Sequence, residues 1–140
     1  MQLTEELVRL FTLLSHLASE QQRGAELTRL EYLILARLQR DGSMRPGDLA
    51  QVESLDPSTL SRRVAAMADR GLVERQADVT DRRAHRLTAT DRGLDAFRAE
   101  QARRVGLVTT ALDHWPEPDR DALARLIHEL NDSLQNRTRP

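Results

Sequence analysis

Between Asp56 and Gly93 the chain sets Ser58, Thr59, Ser61, Arg62 and Arg63 directly after Pro57, and further on it sets Arg82 and Arg83 beside Asp81. These are groups that bind rather than groups that react. A guanidinium can fork onto guanine O6 and N7 or onto a phosphate, hydroxyls can bond to either, and short side chains allow a backbone to come close to its target. What is missing points the same way. The chain has no cysteine, which removes the thiol nucleophile and cysteine-ligated zinc, and no G-x-S-x-G, Walker or H-E-x-x-H pattern occurs. His16, His85, His114 and His128 have no short ligand spacing, so neither a metal nor a cofactor is expected, and the chain is not read as an enzyme.

Charge is distributed in keeping with a polyanionic partner. All 21 cationic side chains are arginine, and the net charge is -1. From Pro57 to Gly93 eight arginines face five acidic residues, a net of +3. Residues 1–56 carry six against nine and residues 94–140 seven against eight. Local positive charge suits phosphate contacts, while an acidic remainder limits indiscriminate binding. No apolar run approaches the ~20 residues of a membrane span, and Glu5 and Glu6 are unlike the basic start of a signal peptide, so a cytoplasmic protein without a membrane partner is expected.

The elements that must position these groups are legible in order. Leu3, Leu7, Leu10, Leu14 and Leu17 form a heptad stripe on a first helix, with Val8, Phe11 and Leu13 as apolar surplus. Thr28 and Glu31 form a capping box, with Leu27 and Tyr32 spaced as a staple, and Leu30, Ile34 and Leu38 face inward until Asp41-Gly42 ends the second helix. Pro46 opens a short third helix, and Asp56-Pro57 opens a fourth a few residues later, giving a helix-turn-helix. At about 100° per residue, Leu60, Val64 and Met67 face the core while Ser58, Arg62 and Ala65 point away. Gly71 closes that helix. Leu72–Gln76 and His85–Ala89 read as a hairpin, with Asp81-Arg82-Arg83 near its tip and Asp78 or Asp81 able to brace the arginines. Thr90 caps a fifth helix through Leu94, Phe97, Val105, Val108 and Leu112. Trp115-Pro116-Glu117-Pro118 interrupts it, and a sixth helix follows through Leu123, Leu126, Ile127, Leu130 and Leu134.

With these elements placed, the sequence resembles the MarR family of winged helix-turn-helix transcriptional regulators over essentially its whole length. The residues that carry the likeness are RPGDLA (Arg45 to Ala50), LDPSTLSRRV (Leu55 to Val64), RGLVER (Arg70 to Arg75), DRRAHRLTAT (Asp81 to Thr90) and Gly93. It departs from the family's pattern at Glu53, where an apolar residue is usual, at Ser54, where the turn glycine is common, at Met67-Ala68, and at Ala89. The resemblance implies a mainly α fold with a small β wing, in one domain of residues 1–140. A winged helix-turn-helix lobe of about 28–90 would be flanked by dimerisation helices of about 2–20 and 91–135. It further implies a homodimeric repressor that reads a palindromic operator in double-stranded DNA and is released by a small-molecule effector. The candidate DNA-binding residues are Pro57, Ser58, Thr59, Ser61, Arg62 and Arg63 on the helix and Arg82 and Arg83 on the wing. His16, near the end of the first helix, is the candidate ligand residue, because such dimers form an effector crevice there. A rival of a different class is a helical module that dimerises without reading DNA.

Overall fold

The computed structural model describes residues 2–21 and 24–138. Its elements run α1 (Gln2–Gln21), α2 (Arg29–Asp41), α3 (Pro46–Val52), α4 (Pro57–Asp69), β1 (Val73–Ala77), β2 (His85–Ala89), α5 (Asp91–Leu112) and α6 (Glu117–Thr138). The protein is thus mainly helical with a two-stranded antiparallel sheet, the expected fold class. It divides into two compact units between Arg103 and Arg104, inside α5.

The core lies in the first unit. Ile34, Leu35 and Leu38 of α2 meet Leu49 of α3, Leu60, Val64 and Met67 of α4, Leu87 of β2, and Ala96 and Phe97 of α5, all buried. Tyr32 stacks on Phe97 with ring centroids 5.1 Å apart, so α2 and the start of α5 share one apolar seam. The capping box forms as expected: the Glu31 amide donates to Thr28 Oγ1 at 3.3 Å and the Thr28 amide to Glu31 Oε2 at 3.0 Å. Gly42 closes α2 with φ 78°, and its amide donates to the Leu38 carbonyl.

The α3–α4 turn accommodates two of the departures from the family's pattern. Glu53 is partly buried and accepts from Arg37 Nε at 2.6 Å, so an ion pair stands where the family usually places an apolar residue. Ser54 adopts φ 52°, the left-handed conformation that a Cβ disfavours by about 1–2 kcal/mol. Because glycine also costs more entropy to fold, Ser54→Gly is expected to stabilise the lobe by up to about 1 kcal/mol. A thermal melt that is unchanged or lower would contradict that assignment of strain.

The hairpin pairs Val73 with Ala89, Arg75 with Leu87 and Ala77 with His85. β1 starts and ends one residue later than the sequence reading, and Leu72 lies in the turn that closes α4. Its amide donates to the Met67 carbonyl across Gly71, whose φ is 71°, a helix-closing arrangement that glycine makes accessible. Met44 and Leu87 exchange amide bonds of 3.1 and 2.7 Å, which fastens the returning strand to the α2–α3 connection.

In α1 the apolar stripe is largely uncovered, with Leu3 73% exposed and Leu10 and Leu14 also exposed, and Phe11 beside it is 68% exposed. In the second unit Leu126, Ile127, Leu130 and Leu134 of α6 are likewise about half exposed or more. Neither helix is long and apolar enough to cross a membrane, nor is any other among the described residues.

Candidate nucleic-acid interface

The N-terminus of α4 is shaped by Asp56, whose carboxylate accepts from the Thr59 amide at 3.1 Å and from the Ser58 hydroxyl. The Ser58 bond, then the Thr59 amide, hold Asp56 below its ordinary value of 3.8. Ser58 and Thr59 therefore spend polar capacity on the cap, as side chains at helix starts do. Pro57, Ser58, Ser61 and Arg62 are exposed, Thr59 is half-buried, and Leu60, Val64 and Met67 fill the core side. The outward face is small, polar and cationic in the half that would enter a groove first.

Arg63 is turned the other way. Its guanidinium reaches the buried Glu31 carboxylate at 3.4 Å, where Arg70 also binds at 2.9 Å and continues to the Glu26 carbonyl. Burial by itself would raise the Glu31 pKa. The Thr28 amide, then the Arg70 hydrogen bond and charge, and finally Arg63 outweigh it and hold the carboxyl below its ordinary 4.5. The second half of α4 and its C-cap are thereby tied to the start of α2.

On the wing, neither acid braces the tip guanidiniums. Asp81 Oδ1 accepts the backbone amide of Arg83 at 3.0 Å. Asp78, nearly fully buried, faces back into the lobe: Oδ2 accepts from Arg45 Nε at 2.8 Å and lies 3.7 Å from Arg86 Nη1. Its Oδ1 accepts the Thr80 amide at 3.0 Å and the Thr80 hydroxyl at 2.8 Å. Those Thr80 bonds, followed by Arg45, hold the Asp78 carboxyl well below the usual carboxylate range.

The eight arginines of the basic stretch therefore divide. Arg63 and Arg70 serve Glu31, Arg86 serves Ser43 and Asp78, and Arg92 lies 3.5 Å from Glu26. Arg62, Arg75, Arg82 and Arg83 are exposed and hold no ion pair among the described residues. Arg75 is the residue that sequence reasoning missed. Alternation alone put it on a strand without saying which face it shares; the register pairs it with Leu87, on the hairpin face turned toward α3 and α4, where Arg75 nevertheless stays exposed. Arg75 and His85 line a hollow of about 250 Å³ with Pro46, Gly47, Pro57, Leu60, Ser61 and Val64, where α3, α4 and the wing meet. His16 is exposed on α1 beside a shallow hollow that Phe11, Thr12, Ser15 and Ser19 complete.

Comparison with known proteins agrees with this architecture. The model described as "MarR family" matches residues 27–85, which span the lobe from the end of the α1–α2 connection to the start of β2. The chain is 31% identical over 116 residues to YxaD of Bacillus subtilis, an uncharacterised HTH-type transcriptional regulator, covering 83% of this chain and 81% of that protein. It is 32% identical over 101 residues to ML2140 of Mycobacterium leprae, described in the same terms, covering 70% and 71%. Among solved structures, a MarR family protein from Bacillus stearothermophilus superposes with a TM-score of 0.84 at 19% identity, covering 96% and 94% of the two chains. The transcriptional regulator Tm0710 from Thermotoga maritima superposes with 0.75 at 21% identity, covering 98% and 97%. On the strength of the family match and of a relative this similar over most of its length, the chain belongs to the MarR family of transcriptional regulators.

Proposed function

We propose that this regulator is a homodimeric repressor that docks two copies of α4 and of the wing on a palindromic operator. The observation that carries the reading is the set of unpaired, exposed guanidiniums, Arg62 on α4 and Arg75, Arg82 and Arg83 on the hairpin. A helix-turn-helix with a small polar outer face and an arginine-tipped hairpin suits major-groove reading with a minor-groove contact alongside. Pro57, Ser58, Thr59 and Ser61 would set the close approach and Arg62 would read base edges. Arg63, held on Glu31, would position the helix rather than read DNA. The uncovered apolar faces of α1 and of α6 each suit a second copy of the chain, since exposed apolar helix faces mark association sites more often than free surface.

The discriminating experiment titrates the protein by fluorescence anisotropy against the DNA upstream of its own gene, with random duplex as competitor. Specific binding that survives competitor is the expected result. Binding equal to that of random DNA would instead favour a dimerising interaction module. Arg62→Ala is expected to cost about 1–3 kcal/mol and to relax specificity at one base pair. Arg82→Ala should weaken binding evenly across sequences and lower the salt slope by about 1. An Arg82→Ala protein with unchanged affinity and slope would remove the wing from the mechanism.

Release by a small effector is part of the same proposal. The family resemblance suggests the α1 surface around His16. The hollow holding Arg75 and His85 is the better chemical match for a small organic acid, because it combines apolar walls with a guanidinium. Half-sites about 34 Å apart demand fixed spacing of the two recognition helices, so a ligand that shifts them by a few ångströms suffices. Operator affinity unmoved by a panel of aromatic and aliphatic acids would sink the effector part and leave a constitutive regulator.

A further inference from the structure

The wing raises a question of sign. Asp78 adds a negative charge at the base of the hairpin whose tip carries Arg82 and Arg83, so by charge alone its removal should strengthen binding to a polyanion. Its surroundings argue for the opposite effect. The side chain of Asp78 is 3% exposed and is the first residue after β1, where the hairpin leaves its ladder. One carboxylate oxygen fixes the first turn of the tip through the Thr80 amide and hydroxyl. The other holds Arg45, the N-cap of α3, and faces Arg86 of β2. Arg86 in turn donates to the hydroxyl and carbonyl of Ser43. The Asp78 amide donates to the Ala84 carbonyl at 3.0 Å, closing the tip as a loop. Beyond this point the tip is held, among the described residues, by its own bonds from the Arg83 and Ala84 amides to Asp81, and the adjacent Val79 is 98% exposed.

We infer that Asp78 is a positioning residue for DNA binding: through Arg45, Arg86 and Thr80 it fixes the wing's pose against the helix-turn-helix, so that Arg82 and Arg83 arrive where α4 needs them. The inference rests on the wing reading proposed above. A guanidinium on a tip free to pivot loses most of its advantage, because ordering it then falls to the moment of binding. Asp78 itself touches no DNA.

The test is a double-mutant cycle on the full-length chain, read by anisotropy over a range of salt. Asp78→Asn is made in the parent and in an Arg82→Ala/Arg83→Ala background, with circular dichroism melts to establish that each variant is folded. The isosteric amide keeps an acceptor for Thr80 but loses the charge that binds Arg45. In the parent, Asp78→Asn is expected to weaken duplex binding on the order of tenfold and to lower the salt slope by about one to two, the share of the two tip cations. In the background without tip arginines it should add almost nothing. Unchanged or tighter binding by Asp78→Asn would overturn the inference, and so would an equal loss in both backgrounds, which a merely structural residue would give. If Asp78→Asn does not fold, Arg86→Gln carries the same cycle. A parent that binds random duplex as well as its upstream DNA overturns the operator reading alone, and the cycle is then read on random duplex. A parent that binds no duplex overturns both.

Discussion

Replacing Gly93 by alanine is expected to destabilise the first unit by about 3 kcal/mol or more, which lowers the melting temperature on the order of 10 °C. Gly93 lies in the first turn of α5, where its amide donates to the Thr90 hydroxyl at 3.0 Å and Thr90 donates its own amide to the Leu72 carbonyl at 3.1 Å. A Cβ built on Gly93 would sit 2.0 Å from the Leu72 carbonyl oxygen, 2.9 Å from its carbon and 3.2 Å from Leu35 Cδ2. The first obstacle is backbone, which cannot rotate aside as a side chain would. Relief requires α5 to lift off the α4–β1 junction, and that withdraws Phe97 and Ala96 from the core and opens the stack on Tyr32. The glycine here is needed for space rather than for an unusual backbone angle. Chemical and thermal unfolding of Gly93→Ala check the point, and a loss under 1 kcal/mol would show that α5 yields without cost.

Glu31→Gln is the second large effect, expected to cost about 2 kcal/mol at pH 7. The glutamine can still accept the Thr28 amide, so helix capping survives in part. What disappears is the charge facing Arg63 and Arg70. Removing one partner of a fully buried pair costs about 3–5 kcal/mol, but these arginines are 39% and 38% exposed and can rehydrate, which brings the figure down. The pH dependence has a definite sign. Glu31 has a folded-state pKa below its ordinary 4.5, so its charge contributes stability that is complete above that value and is lost as pH falls through the lowered one. The gap between the parent and Glu31→Gln should therefore be full at pH 7, begin to shrink near pH 4.5, and close in stronger acid. A gap independent of pH would mean that the shape of the side chain, not its charge, does the holding.

The local pieces were legible because each rests on near-neighbour chemistry. The Thr28–Glu31 box, Pro46 and Pro57 at first helical positions, and the closing glycines at 42 and 71 are short-range signals, and all stand where the residue pattern puts them. The core face of α4 was legible too, since Leu60, Val64 and Met67 keep helical period. The β1 boundary was not, because whether Leu72 completes the turn after α4 or begins a strand depends on an amide bond to Met67 that the pattern does not encode.

The candidate site was legible as a region but not as a list of residues. The sequence by itself determined that a basic, short-side-chained stretch spans a helix-turn-helix and a hairpin, since spacing sets helix faces and composition sets charge. It could not say which of eight arginines remain available. Arg63 and Arg62 are adjacent and chemically identical, yet one meets Glu31 and the other meets solvent. Asp78 looked as able as Asp81 to steady the wing tip, but it is turned into the lobe toward Arg45, 33 residues earlier in the chain. An ion pair depends on where two distant segments come to lie, and a buried carboxylate attracts whichever guanidinium the packing brings near it. Only the tertiary structure decided that two buried acids take four of the chain's arginines and leave Arg62, Arg75, Arg82 and Arg83 exposed without an ion pair among the described residues.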